Sequence, residues 1–587
     1  MNAHRLILLT FIACLAWGEG HAQAPDKVSP ALRRVLSRAN GDDPLKTWVF
    51  FSDKGDRLSE KLAEAERNLT PRARARRARN RGADNLVDTY DIPVDPGYVA
   101  QVSRRAVRLR HTSRWLNAVS IDVEVGAVDA IAALPFVRKM DVVRASRAPL
   151  PEPDEAPTGP APPRAPSDFL LDYGNSLTQN NQINVPPLHD QGYNGSGVTI
   201  CMMDAGFNNL QHVALQGLDI LVTHDFVNGD SIVSDQAGQM GTGNHGTWTL
   251  SAIGGYAPGQ LIGPAWGATY ILAKTENTSW ERHIEEDDWV AAAEWADVLG
   301  ADIISSSVGY SIGFTDGESD YAWTDMDGNT TIVTIGADIA ASRGILVVNS
   351  AGNEGPVASP ANTLIGPSDG DSVLAVGAVD ASGVRVGFSS VGPSADGRIK
   401  PDVMAMGLSV WVATTTDTTS FVTHSGTSFS CPLVAGAAAV ILQAKPAATN
   451  DEIMDALRQT ASQSDAPDRL MGWGIIDAAT AAAVIPTGTG EGPQPAGVVL
   501  YPAFPNPFNA TTTIQYQIDV ATHVSLTVID VRGQVVARLV NNTQTPGLKT
   551  VVWDADNQSG DPVASGVYLY RLDTGDTRQS RKMVLLK

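Results

Sequence analysis

Apolar and polar positions change rhythm several times along the chain. An apolar run, residues 6–17, follows His4 and Arg5 and ends ahead of Ala22-Gln23-Ala24. It is too short to span a bilayer, and its basic start and small-residue end predict a secretory signal peptide over residues 1–24. Residues 25–148 mix periods. Residues 47–51 (TWVFF) read as a strand, 56–81 as a polar helical stretch, 114–124 as a half-buried alternating strand and 127–137 as a second helix. Together they predict a small α+β unit. Eight prolines within residues 149–166 mark 149–167 as an extended linker.

From 168 to 485 apolar strand-like runs alternate with helical stretches, the signature of a parallel α/β sheet. Residues 198–204 form an apolar strand that ends in Asp204. The strand opened by Asp302-Ile303-Ile304 ends at Ser306 and Ser307, and 345–349 and 373–379 read as buried strands. Residues 433–442 (LVAGAAAVIL) read as an apolar helix. Glu285-Glu286-Asp287-Asp288 precede the helical pattern 289–299, where the helix dipole favours acidic groups. A second linker, 486–497, leads into short strands such as 524–529 and 551–553, which predict a β-sandwich over 498–587. No segment recurs at the spacing of a repeat protein.

The chain has 587 residues, 43% hydrophobic and 18% charged, which calls for several domains with buried cores rather than disorder. A net charge of −21 argues against nucleic acid and against an anionic membrane surface as partners. The charge is unevenly placed: residues 25–165 carry +6 and residues 166–587 carry −27. The run Arg72, Arg74, Arg76, Arg77, Arg79, Arg81 is therefore read as a solvated helical face turned towards an acidic partner. No later segment offers the uninterrupted apolar length of a transmembrane helix, and none is expected. Cys14 falls in the signal peptide, which leaves Cys201 and Cys431 and no disulfide scaffold.

Three segments of the α/β portion carry chemistry. Asp204 ends an apolar strand ahead of the turn residue Gly206. His245 opens a glycine-rich helix start, Asn244-His245-Gly246-Thr247. His424-Ser425-Gly426-Thr427-Ser428 leads through Pro432 into the apolar helix. A serine in the first turn of a buried helix meets outward backbone N–H groups and the positive dipole end, which suits a nucleophile whose attack creates an oxyanion. Each feature alone is common. The order Asp, His, Ser at strand ends and helix starts of one α/β domain is the order found in subtilisin.

At these residues the sequence resembles the subtilisin-like serine proteases, the subtilases, over about residues 185–485. The matching blocks are 200–206, His245-Gly246-Thr247, Asn349 to Gly355 (NSAGNEG), and Gly426-Thr427-Ser428 with Pro432 and Val434-Ala435-Gly436. Phe388-Ser389-Ser390 and Lys400-Pro401-Asp402 also match. The resemblance implies an α/β fold with a subtilisin-like doubly wound parallel sheet, an N-terminal α+β propeptide (25–148) and a C-terminal β-sandwich. It implies a secreted serine endopeptidase acting on proteins or peptides through an acyl-enzyme. Ser428 would be the nucleophile, His245 its base and Asp204 the residue that orients the base. Asn353 and Ser428 would form the oxyanion hole, and Ser307, Val308, Gly309, Ala351 and Gly352 would bind substrate. No cofactor is implied for catalysis. Structural calcium is, and Asp325, Asp327, Asn329 and the acidic stretch 316–320 offer oxygens, although Asp-Gly turns also arise for conformational reasons alone.

Departures from the family pattern gather near the site. Phe429-Ser430-Cys431 replaces Met-Ala-Thr, Trp248 replaces a histidine, and Ala405-Met406-Gly407 replaces Ala-Pro-Gly. They reshape the pocket rim without removing a catalytic atom. Cys201 and Cys431 are expected as separate buried thiols. The propeptide is implied as an intramolecular inhibitor. The tail carries a second resemblance, to C-terminal sorting domains of the type IX secretion system, in Phe504 to Asn509, Val528 to Gly533, Gly566 to Arg571 and the final Lys582 to Lys587. It implies the secretion machinery as a partner and a secreted or cell-surface product exported through the periplasm of a Gram-negative bacterium. The competing expectation is an inactive subtilase fold used for binding or surface attachment. The presence of Asp204, His245, Ser428 and Asn353 argues against it.

Overall fold

In the computed structural model, residues 26–38, 44–143, 169–278, 284–311, 320–486 and 498–585 are described, apart from 501–502, 504–507, 509–510, 519 and 576. The expected signal peptide, the Pro-rich linker, the second linker from 487 and most of 316–320 and 504–509 lie outside these residues.

The front unit is an antiparallel sheet of β1 (Leu45–Phe51), β2 (Arg108–Ser113), β3 (Ala118–Val123) and β4 (Val137–Val142), in the order β2-β3-β1-β4. The polar helix expected over 56–81 is two helices, α1 (Leu58–Arg67) and α2 (Pro71–Arg81). Thr70 accepts the Ala73 N–H and Pro71 occupies the first helical position, so α2 starts afresh. The strand expected over 114–124 begins only at Ala118. Residues 114–117 are a turn in which Asn117 adopts a φ of 50° and donates to the Phe51 and Asp53 carbonyls. The helix expected over 127–137 stops at Ala132, and Val137 opens β4. Pro135 lies between them and has no N–H to continue a helical ladder.

Residues 169–485 are built on a seven-stranded parallel sheet: β5 (Thr199–Asp204), β6 (Asp219–Asp225), β9 (Thr269–Lys274), β10 (Ile303–Ser306), β11 (Leu346–Ser350), β12 (Val373–Val379) and β13 (Val403–Met406). Their order is β13-β12-β11-β10-β5-β9-β6. β7 (Tyr256–Ala257) and β8 (Leu261–Ile262) form a small hairpin, as do β14 (Val410–Ala413) and β15 (Phe421–His424). Apart from the partly exposed edge strand β6, the strands are buried on both faces, and their near-continuous apolar runs follow from that. Ile200 and Met202 face α3 (His245–Gly254) and α6 (Thr427–Ala444). Cys201 and Met203 face α4 (Ile284–Leu299) and α5 (Ile332–Ser342). This is the doubly wound arrangement expected from the sequence. Among the described helices, α6 alone has the length and composition to cross a bilayer, and here it is the buried core helix.

The front unit sits on α4 and α5. Trp48, Phe50, Trp115 and Leu116 share a core with Trp289, Val290 and Ala337. Glu294 accepts from Ser113 Oγ at 2.5 Å and from the Trp115 N–H at 3.2 Å. Ser120 donates to Asp287 at 2.6 Å, and His111 pairs with Asp288 at 2.7 Å. The arginine face on α2 does meet acidic groups, but Arg76 and Arg77 are buried rather than solvated. Arg76 donates to the Ala301 and Arg343 carbonyls and pairs with Asp297, while Arg77 pairs with Asp297 and Asp91 and donates to the Leu86 carbonyl.

The C-terminal residues form two antiparallel sheets. One contains β16 (Val498–Leu500), β17 (Thr512–Ile518) and β20 (Gly547–Trp553). The other contains β18 (Thr522–Asp530), β19 (Val535–Gln544), β21 (Gly566–Asp573) and β22 (Arg578–Leu585). Their shared core includes Tyr516, Trp553, Leu526 and Tyr570. Asp530 accepts the Arg532 and Gln534 N–H groups across the β18–β19 turn, where Gly533 takes a φ of 81°.

Candidate active site

A parallel sheet gathers the carboxyl ends of its strands at one edge, and the candidate residues collect there. Asp204 ends β5 and is fully buried. Its Oδ1 accepts from His245 Nδ1 at 2.6 Å and from the Ala205 N–H at 2.7 Å, and Oδ2 accepts from Thr249 Oγ1 at 2.8 Å. Each donor lowers the cost of keeping an ionised carboxylate out of water. His245 is the first residue of α3, and the close approach of α3 to β5 depends on Gly246. A Cβ there would lie 2.4 Å from the Gly206 carbonyl oxygen.

Ser428 occupies the first turn of α6, after Gly426 with a φ of 151°. Its Oγ donates to the Ser307 carbonyl at 3.2 Å, and Ser307 Oγ donates to the Ser428 carbonyl at 2.9 Å. The end of β10 and the start of α6 are thus tied together. Asn353 Oδ1 accepts from the Thr427 N–H at 2.9 Å and from Thr427 Oγ1 at 3.0 Å. With its oxygen so occupied, the Asn353 amide presents Nδ2, which lies 3.6 Å from where a Cβ on Gly426 would stand. The missing side chain keeps the space between that amide and Ser428 open.

The remaining sequence-predicted residues divide. Ser307 and Val308 are buried and Gly309 is half-buried, next to the Ser428 contact. Gly352, with a φ of 111°, is tied to Thr427 Oγ1 through its N–H at 3.3 Å. Ala351 is buried against Tyr321, Met326 and Leu364, and its N–H is taken by the Val376 carbonyl. It supports this edge from behind.

Two residues of this neighbourhood were not singled out from the sequence. Thr249 holds the outer oxygen of Asp204, and its place one helical turn after His245 is the signal that could have found it. His424 stacks on Trp248 at 3.8 Å between ring centroids and on Phe429 at 5.6 Å, while Phe429 lies 5.8 Å from the His245 ring. Two departures from the family pattern, Trp248 and Phe429, are therefore joined through one imidazole. Burial, then repulsion from His245, pushes His424 down to about 4, so it is a neutral ring at neutral pH.

Cys201 and Cys431 are both free and buried. Cys431 Sγ donates to the Ser306 carbonyl at 3.4 Å, and burial pushes its thiol up to about 12. Of the residues offered for calcium, 316–319 lie outside the described residues. Asp325 accepts the Ala322 N–H, Asp327 accepts the Asn329 N–H and the Thr330 hydroxyl, and the Arg398 guanidinium lies against Gly328. Among the described residues no group of three or more His, Cys, Asp or Glu side chains is arranged to hold a metal ion.

Three stretches of the chain match known families. The "Subtilase family" model matches residues 195–474, the "Peptidase S8 propeptide domain, Bacteroidota" model matches 46–156, and the "FlgD Ig-like domain" model matches 508–577. The chain is 31% identical to subtilisin of Bacillus pumilus over 283 residues, 48% of this chain and 90% of that one. It is 31% identical to subtilisin NAT of Bacillus subtilis subsp. natto over 283 residues, where it spans 65% of the relative's length. A solved chain described as proteases from Pseudoalteromonas arctica PAMC 21717 aligns over 53% of this chain and 98% of its own, with 24% identity and a TM-score of 0.41.

Proposed function

The chain belongs to the subtilase family, and we propose that it is a secreted serine endopeptidase that cleaves proteins through an acyl-enzyme. The observation that carries this is the 2.6 Å Asp204–His245 hydrogen bond, with the His245 ring 5.8 Å from that of Phe429, the residue after Ser428 in the first turn of α6. A serine hydroxyl is too weak an acid to attack unaided. His245 Nε2 takes the Ser428 proton as Oγ bonds to the scissile carbonyl carbon, then returns it to the departing amine. Asp204 fixes the tautomer with the proton on Nδ1 and stabilises the imidazolium. Asn353 Nδ2 and the Ser428 N–H receive the oxyanion. Water then repeats the sequence on the acyl-enzyme. In the resting chain Ser428 Oγ rests on the Ser307 carbonyl, and it turns towards His245 when substrate fills the cleft. Residues 307–309 and Gly352 bind the extended substrate backbone as an added strand.

The test is labelling by a fluorophosphonate. Ser428 is expected to be modified in the processed chain and unmodified in Ser428→Ala. Absence of label in processed wild type rejects the protease and favours a binding role. Thr249 supplies a second check. Thr249→Val removes one hydrogen bond to a buried carboxylate, and kcat is expected to fall about tenfold at unchanged KM. Thr249→Ser should restore most of it.

The same reading assigns residues 1–24 to a signal peptide, 25–148 to an inhibitory propeptide, 149–167 to the processing region, 168–485 to the catalytic domain and 498–587 to a sorting domain joined by 486–497. The Bacteroidota propeptide match and the tail motifs support export through a periplasm to the cell surface or medium. Deleting residues 498–587 is expected to strand the enzyme in the periplasm, as read by immunoblot of cell fractions. Normal export of the truncated chain rejects the sorting role.

A further inference from the structure

Helix α2 touches the central sheet at the end opposite Asp204 and Ser428. Arg72 donates to Thr199 Oγ1 at 2.6 Å, Arg76 to the Ala301 carbonyl at 2.6 Å and the Arg343 carbonyl at 3.1 Å, and Arg79 pairs with Asp302 at 2.9 Å. Thr199 opens β5, Ala301 and Asp302 precede β10, and Arg343 precedes β11. One helix thus spans the beginnings of three neighbouring strands. The turns beneath it are shaped to receive it. At Gly300, with a φ of 86°, a Cβ would stand 2.5 Å from Arg72 Cβ, and at Gly344, also with a φ of 86°, one would stand 2.6 Å from Asn80 Nδ2.

At the centre lies Asp297, in the last turn of α4 and 1% exposed. Its carboxylate meets Arg76, Arg77 at 2.7 Å and Arg114 at 2.7 Å. Among the described residues all its side-chain partners are guanidinium groups of the front unit. Burial alone would drive this carboxyl upwards, but the three arginines outweigh burial and hold it below the usual carboxylate range. Removing the front unit leaves the carboxylate and two strand-edge carbonyls without the donors they now have, so the site requires a cation that brings several N–H groups in a fixed fork. Arginine does this and lysine does not.

We propose that Asp297, with the Ala301 and Arg343 carbonyls, is a guanidinium-binding site on the protease body, remote from the catalytic residues, that takes the adjacent arginine pair of α2 and retains the propeptide after the connecting chain is cut. The proposal rests on the zymogen reading above and adds a second point of attachment to it.

The full chain tests it. Residues 149–167 are cut by self-processing or, in a Ser428→Ala background, by an added protease, and loss of the front fragment is followed by size-exclusion chromatography. Asp297→Asn is expected to release the fragment about thirty-fold faster than wild type, because the buried Arg76 loses its carboxylate partner and Arg77 and Arg114 each lose one of two. The freed Asp297→Asn body should keep its kcat/KM. Unchanged retention overturns the proposal. If Asp297→Asn yields no folded chain, the cut wild-type complex is exposed to L-argininamide or L-lysinamide at equal ionic strength. Faster release with argininamide supports the site, and equal release by both overturns it. Failure of the protease reading shows separately, as a chain that neither cuts itself nor takes the fluorophosphonate, while retention is still measurable after added protease.

Discussion

Ser428→Ala is expected to lower kcat/KM for peptide hydrolysis by about 10⁶-fold, a magnitude carried over from subtilisin rather than derived from this geometry. The reasoning from position is independent of that figure. Ser428 stands in the first turn of α6, beside the Thr427 that Asn353 holds, so an alanine leaves an intact cleft with no atom to attack the carbonyl. If residues 307–309 and Gly352 bind substrate as proposed, the loss should fall on kcat while KM moves little. Adding His245→Ala to Ser428→Ala is expected to cost almost nothing more, because base and nucleophile act as one unit. A steady-state assay normalised to active sites titrated with fluorophosphonate in the wild type checks both statements. A large further loss in the double variant would mean that His245 works on something other than Ser428.

Asn353→Leu is expected to lower kcat by about 10²- to 10³-fold, or about 3–4 kcal/mol, the cost known for an oxyanion donor of subtilisin. The donor faces the position where charge develops, so ground-state binding and KM should be nearly unchanged. A second effect is specific to this chain. Asn353 Oδ1 also accepts the Thr427 N–H and hydroxyl ahead of Ser428. Leucine removes that acceptor from the first turn of α6 and should cost about 1 kcal/mol of stability, as loss of a helix cap does. Thermal unfolding measured beside the kinetics separates the two. A proportional fall in titratable active sites with unchanged kcat per site would show that Asn353 only holds the helix.

Much of this was legible in the sequence because the informative features are local. A strand that ends in Asp204, a helix that opens on His245 and a glycine-led turn into Ser428 each state their chemistry within ten residues. The parallel sheet was legible for the same reason, since strands buried on both faces are written as continuous apolar runs. What stayed hidden depends on contacts between distant segments. Arg76 and Arg77 look like solvated surface in any local window, and their burial rests on partners such as the carboxylate of Asp297, some 220 residues away. Ala351 stands two residues before Asn353, and its N–H donates to the Val376 carbonyl across the sheet. The front unit was misread at its turns, where Thr70-Pro71 and the left-handed Asn117 break patterns that apolar spacing alone would have continued.

The two thiols carry a last consequence. Cys201 points to the α4 and α5 side of the sheet and Cys431 to the α3 and α6 side, each sealed from water. Seven strands of backbone stand between the layers, so oxidation has no partner to join and thiolate exchange has no entry. On the proposed reading the chain leaves a reducing cytosol for an oxidising exterior. Neither buried thiol would respond to that gradient, and on the same reading maturation would be timed by peptide-bond cleavage and by the departure of an arginine helix.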